Sequence, residues 1–189
     1  MAVMEIIVVA MKEVEFRKSM FKPKSLACKA VVDQVVKIID KGDSELLIAC
    51  IKVIGNLART IKATETRMIG PLVKLLDERE VEALREALIA LTKFTCMENY
   101  LHMDHSKAII NVGGAKHLIQ LVYFREEMVN ILVLVLLSYI VIHVSDNEEL
   151  AKVEVLKVIK WASKHSSIAH DNHRSLVASV QEQVGALLV

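Results

Sequence analysis

An all-α solenoid, made by stacking one helical unit on the next, is the fold this sequence predicts, and three observations carry the prediction. The first is composition. Of the 189 residues 53% are hydrophobic but only 4% aromatic, with 6 Gly and 2 Pro. The Ala, Leu, Ile, Val, Lys and Glu that dominate suit packed helices better than sheet sandwiches. The second is recurrence of a short apolar pattern. "VVKIIDKGD" starts at Val35, "LVKLLDERE" at Leu72, "LIQLVYFRE" at Leu118 and "VLKVIKWAS" at Val155, at offsets of 37, 46 and 37 residues. The third is the longer helical pattern behind each of the first three: "SELLIACIKVIGNLART", "VEALREALIALTKFTC" and "EMVNILVLVLLSYIVI". Cys50, Ala87 and Val133 fall in register there, as do Ile54, Leu91 and Leu137, and Leu57, Phe94 and Ile140. Steps of four and three along each segment place its trio on one helical face.

A helical period near forty marks an armadillo or HEAT architecture, and the corners decide between them. Each unit reads as a short first helix, a medium second and a long third; in the second complete unit these are about 63–69, 71–77 and 79–95. Gly70-Pro71 is expected to break the first from the second, with Pro71 at a helix start where its missing donor costs nothing. In "KAIINVGGAKHLIQLV" the Gly113-Gly114 pair is the matching corner. Three helices per unit predict an armadillo-type superhelical solenoid of three-helix repeats. The chain divides into the end of a preceding repeat and a linker (1–22), repeats at 23–62, 63–105 and 106–147, and a C-terminal partial or capping repeat at 148–189. The nine extra residues of the second offset are placed in an extended loop, 97–105, where the stack tolerates added length. An N-terminal cap should show a polar outer face, whereas "VMEIIVVA" is apolar, which suggests the C-terminal part of a longer solenoid or a truncated product.

Several function classes find no support in the residues. With 24 basic and 23 acidic side chains the formal charge is +1, no electrostatic reason to expect nucleic acid or an anionic bilayer. Cys28, Cys50 and Cys96 are odd in number and widely spaced, as buried thiols of a reducing compartment would be. "MVNILVLVLLSYIVIHV" contains Asn130, Ser138 and His143 and falls short of the roughly 20 apolar residues of a spanning helix. "HMDH" (His102, Asp104, His105) and "HDNH" (His170, Asp171, His173) have two imidazoles three apart, but in polar linkers; helix caps at Asp104 and Asp171 are the better reading than a metal site. "NVGGAKHL" lacks phosphate-loop spacing, and no nucleophile elbow is present. No catalytic residue, cofactor or metal is predicted.

The polar residues of the long third helices are the candidates for function. Lys52, Asn56 and Arg59 recur at four and three, off the core face. Third helices of such a stack line its concave groove, where a carboxamide can both donate to and accept from an extended peptide backbone; the alternative for Asn56 is a bond across to the next repeat. Lys93 and Tyr139 stand in register with Asn56, and Arg85 and Glu86 precede Lys93. The groove thus runs from basic and polar through mixed charge to aliphatic, where some of Leu132, Val135, Tyr139 and Ile142 should face it. Lys52, Asn56, Arg59, Arg85, Glu86, Lys93, Val135 and Tyr139 are therefore the candidate partner-binding residues.

"AVVDQVV", "IKVIGNLART", "ATETRMIGPLVKLLDERE", "ALTKF", "NYLHMDHSKAII", "GGAKHLIQLVYF" and "KWASK" resemble the C-terminal half of the plant armadillo-repeat-only proteins, over about residues 1 to 165. The resemblance implies a non-enzymatic scaffold of polarised tip growth in plant cells. It implies partners among the kinases and exchange factors of a Rho-type GTPase pathway, and a place in the cytoplasm, at the plasma membrane through partners, or in the nucleus. Nuclear import adaptors of the importin alpha type share the fold but pair a Trp with an Asn one turn later on successive third helices. Here Lys52 stands where that Trp would be, the next rungs read Ile89/Lys93 and Val135/Tyr139, and the one tryptophan, Trp161, is elsewhere. A self-associating scaffold is the main alternative; an import adaptor or a ubiquitin-ligase adaptor is weaker.

Overall fold

The computed structural model describes residues 26–42, 44–58, 63–123, 126–144 and Val158. The expectations for 1–22, for Arg59, for "HDNH" and Trp161, and for 148–189 apart from Val158 lie outside those residues. Seven α-helices and two 3₁₀ turns make up what is described: α1 (Leu26–Lys41), α2 (Ser44–Leu57), a 3₁₀ turn Ala63–Met68, α3 (Ile69–Lys74), a 3₁₀ turn Leu75–Asp77, α4 (Val81–Thr95), α5 (His102–Asn111), α6 (Gly114–Leu121) and α7 (Glu127–His143).

The closing helices of the three units, α2, α4 and α7, lie side by side, with α4 in the middle and packed extensively on both. Their apolar faces form the core in the rows read from the sequence. Cys50, Ala87 and Val133 are wholly buried, and so are Ile54, Leu91 and Leu137, and Leu57, Phe94 and Ile140. Backbones come close where side chains are small. A Cβ on Gly55 would stand 3.2 Å from Ala90 Cβ and 3.3 Å from its Cα, so the glycine of "KVIGNLARTI" sets the approach of α2 to α4. The shorter helices cover the far side of this row, α5 and α6 packing on α7 and on each other.

The two glycine corners differ. Gly113 sits at φ +83°, and a Cβ on Gly114 would be 2.5 Å from Ile109 Cγ2 and 2.8 Å from Ile109 O. The turn from α5 into α6 therefore requires glycine twice, once for backbone angle and once for space. Gly70-Pro71 makes no such corner. Both residues lie inside α3, with Met68 as its N-cap. A proline in the first turn removes an N–H that has no intrahelical acceptor anyway, so the helix runs through it. The first segment of that unit winds as 3₁₀ instead, and Ala63–Met68 leads directly into α3.

The predicted loop 97–105 is shorter than expected. After α4 the chain turns through residues 96–101, and α5 begins at His102. Asp104 is accordingly in the first helical turn and is not the N-cap, which is Leu101, with no side-chain cap bond; a carboxylate there still favours the positive end of the helix dipole.

A candidate partner-binding face on the third helices

Polar bonds between repeats follow the repeat spacing. Arg67 pairs with Asp33, and the His117 Nδ1 is 2.7 Å from Asp77 Oδ1. On the third helices Lys52 Nζ lies 3.5 Å from a Glu86 carboxylate oxygen, and Lys93 Nζ donates to Asn56 Oδ1 at 3.1 Å. Asn56 and Lys93 are the register partners read from the sequence, so the second reading of Asn56, a bond across to the next repeat, describes one of its contacts. All four are partly exposed. This face of α2 and α4 is a row of alternating cation, carboxamide and carboxylate, already cross-linked by its own charges.

The remaining candidates divide. Arg85 is half-buried, with its Nε shielded from solvent and without a hydrogen-bond partner. Val135, expected to face the groove, is buried, at 6% exposure. An apolar helix loses most by leaving any side solvated, and α7 buries most of its circumference. Leu132, Tyr139 and Ile142 keep partial exposure. Tyr139 stacks on His143, ring centroids 6.1 Å apart and planes 16° apart. Burial, with the nearby Glu98 and Cys96, pushes its phenol above the ordinary value.

Beside this face, at the C-terminal ends of α4 and α7, stands a polar cluster that sequence reasoning missed. Asn99 is wholly buried; its Nδ2 donates to Ala58 O at 3.0 Å and Lys93 O at 3.2 Å, and its Oδ1 accepts from Leu101 N at 3.0 Å. Two of "HMDH"'s imidazoles point to different partners. His105 is buried, with Nδ1 donating to Phe94 O at 3.1 Å and the ring edge-on to Phe94; burial lowers its pKa. His102 Nδ1 donates to Asn99 O at 2.7 Å, and its ring lies against His143, centroids 4.2 Å apart. His143 reaches Ser106 Oγ at 3.1 Å through Nδ1 and Met97 Sδ at 3.1 Å through Nε2. Burial and then the neighbouring His102 lower its pKa to about 4. The signal was present in the offsets: Met97 and His143 are 46 residues apart and Ser106 and His143 are 37 apart, the two spacings of the repeat itself.

Among the described residues no group of three or more His, Cys, Asp or Glu could hold a metal ion, and no helix is long and apolar enough to cross a membrane. Cys50 and Cys96 are buried thiols.

No family model and no curated protein matches the chain. Solved structures do. An engineered protein superimposes with a TM-score of 0.64 at 20% identity, over 96% of this chain and 47% of that one, so the chain spans about half its length. A designed armadillo repeat protein superimposes with a TM-score of 0.62 at 18% identity, over 94% of this chain and 80% of that one. At such identities the likeness is one of fold, and the fold is an armadillo-type superhelical solenoid.

Proposed function

Given an armadillo-type frame, we propose that the chain is a non-enzymatic scaffold that takes a protein or peptide segment along the face of α2, α4 and α7. The observation that carries this reading is the Lys52–Glu86 and Asn56–Lys93 row, whose side chains are held at fixed spacing on rigid helices yet remain partly exposed. Polar groups fixed by cross-repeat bonds keep their positions before a ligand arrives, which lowers the ordering cost of binding. The aliphatic continuation, Leu132, Tyr139 and Ile142, supplies apolar contact beside it. A solenoid offers such a face as a consequence of stacking, though the fold by itself names no ligand.

The finer reading rests on the resemblance to the plant armadillo-repeat-only proteins. In it the partners are kinases or exchange factors of Rho-type GTPase signalling in polarised tip growth, met in the cytoplasm, at the plasma membrane or in the nucleus. Proximity labelling in plant cells tests both levels. The Lys52→Glu/Asn56→Asp and Tyr139→Asp variants are expected to lose partners that the parent chain labels; identical partner sets for all three would refute recognition on this face. A second reading, self-association, is favoured by the exposure of Tyr100 (68%) and of Met97 (58%), which contacts the His143 that Tyr139 stacks on. Sizing across concentration distinguishes it: a monomer at all concentrations ends that reading.

A further inference from the structure

At the edge of the stack where the third helices begin, three large apolar side chains stay in water. They are Val81 at the start of α4, Met128 in the first turn of α7, and Tyr123, 61% exposed, just after α6. Register brings them together. Met128 stands 46 residues after Glu82, on the neighbouring helix, and Tyr123 stands 46 after Asp77. Asp77 is tied to α6 by its 2.7 Å contact with His117. Apolar side chains gathered at one place beside polar ones mark a contact surface more often than singly scattered ones do. The charge beside them is one-sided. Residues 77–82 are exposed throughout, and with Asp77 engaged by His117, Glu78, Glu80 and Glu82 stand against Arg79 alone. Among the described residues none of these three carboxylates has an ion-pair partner. A helix start favours carboxylates for its own sake, and Glu82, in the first turn of α4, has that explanation. Glu80 does not. Its register mate Glu126, the N-cap of α7, accepts from Val129 N at 2.6 Å, whereas Glu80, the N-cap of α4, makes no cap bond. The same position serves the helix in one repeat and faces water in the other.

We propose that this edge docks a cationic segment of a partner protein, with Tyr123, Met128 and Val81 taking an apolar anchor and Glu78, Glu80 and Glu82 the lysines or arginines beside it. The two roles fall on neighbouring helices, the carboxylates at the start of α4 and most of the apolar surface at the start of α7 and the turn before it. Packed helix axes are about 8–10 Å apart, and an extended chain advances about 3.3 Å per residue. Anchor and nearest cation are therefore about three residues apart in the segment. Opposite charge draws the segment in and fixes its register, and the apolar anchor supplies most of the hold. This surface is separate from the Lys52–Glu86 and Asn56–Lys93 row and does not rest on the reading of that row.

The probe is a fluorescein-labelled peptide of sequence KRKAAW, which sets its anchor three residues from the nearest cation, followed by anisotropy. Binding is expected at low salt and should weaken as salt is added. Glu78→Gln with Glu80→Gln should weaken it about tenfold. Tyr123→Ser with Met128→Ser, which keeps every charge, should also weaken it about tenfold. Asp104→Asn removes an exposed carboxylate at the opposite edge, where α5 starts beside the last turn of α7, and should leave binding unchanged. All these positions are exposed, and unchanged thermal melting confirms that each variant folds. Parental affinity in the Tyr123→Ser/Met128→Ser chain would overturn the proposal, since charge alone would then attract the peptide. No binding at low salt, or an equal loss with Asp104→Asn, would overturn it as well. A dimer that the Tyr123→Ser/Met128→Ser pair dissolves would give the surface to a second copy of the chain, and the proposal would again be lost.

Discussion

Asn99 does at one position what a hydrogen-bonded turn usually needs several residues to do. Its amide satisfies a carbonyl just past the end of α2 and another in the last turn of α4, both orphans of helix termination, while its own oxygen holds the turn that follows. Replacing it with Ala removes the Asn99 donor from the Ala58 carbonyl and leaves Lys93 O with the weak Cys96 thiol contact at 3.5 Å, and Asn99→Ala is expected to lower unfolding stability by about 1–3 kcal/mol, measured by urea denaturation. Asn99→Asp, isosteric but without the two N–H groups, should do no better. His105 acts in the opposite sense, as a group that must remain uncharged. Its Nε2 is buried with no partner, and burial lowers its pKa below the ordinary 6.5. The unfolded chain therefore binds the proton first as pH falls. The stabilising contribution of neutral His105 is complete above about pH 6.5 and declines from there toward its lower folded value. Ring resonances followed through pH should give a midpoint below 6.5 for His105. A midpoint at or above it would contradict the burial.

At the scale of the element, glycines separate what hydrophobic pattern can say from what it cannot. Gly114→Ala would drive a methyl into Ile109 side chain and backbone at 2.5 and 2.8 Å, so thermal unfolding should show a loss of about 1–3 kcal/mol as α5 and α6 are forced apart. Gly70 has open space around it, and it lies inside α3 at a helical angle; Gly70→Ala should be neutral or stabilise by up to about 1 kcal/mol. From sequence the two positions looked alike, each a glycine between short helices, because composition does not reveal backbone angle. The long helices were legible for the converse reason. Burial of one face forces a 3.6-residue period, and the rows from Cys50, Ile54 and Leu57 could be written down and are all interior. The candidate face was half legible. Asn56 and Lys93 were placed in register, but nothing local to either residue says that they bond to each other. Val135 was misplaced because an apolar helix has no period to show which side is outermost. The pairing of His143 with Ser106 and Met97 went unread although its separations of 37 and 46 residues are the repeat's own offsets, because no periodic pattern marks a polar contact.

Across the whole molecule, α4 is the element on which neighbouring units depend, since it packs on α2 and α7 together. In a nearest-neighbour stack a cavity in that middle row loosens two interfaces at once, and Leu91→Ala is expected to cost about 2–5 kcal/mol. The polar row on the same helix should behave differently. Lys52 and Glu86 side chains are 38% and 22% exposed, a setting in which water screens the pair and its contribution to stability is about 0–1 kcal/mol. Lys52→Glu, which puts two carboxylates opposite each other, should therefore shift the urea midpoint only slightly. If the row is a recognition surface, the same substitution should remove partner labelling far out of proportion to that shift. Exchanging both residues, Lys52→Glu with Glu86→Lys, restores the ion pair and its small stabilisation but reverses the order of charges that a partner meets. Labelling that recovers with the exchanged pair would mean that the charges serve the stack alone. Labelling that stays lost, in a chain as stable as the parent, would assign the order of charges to the partner.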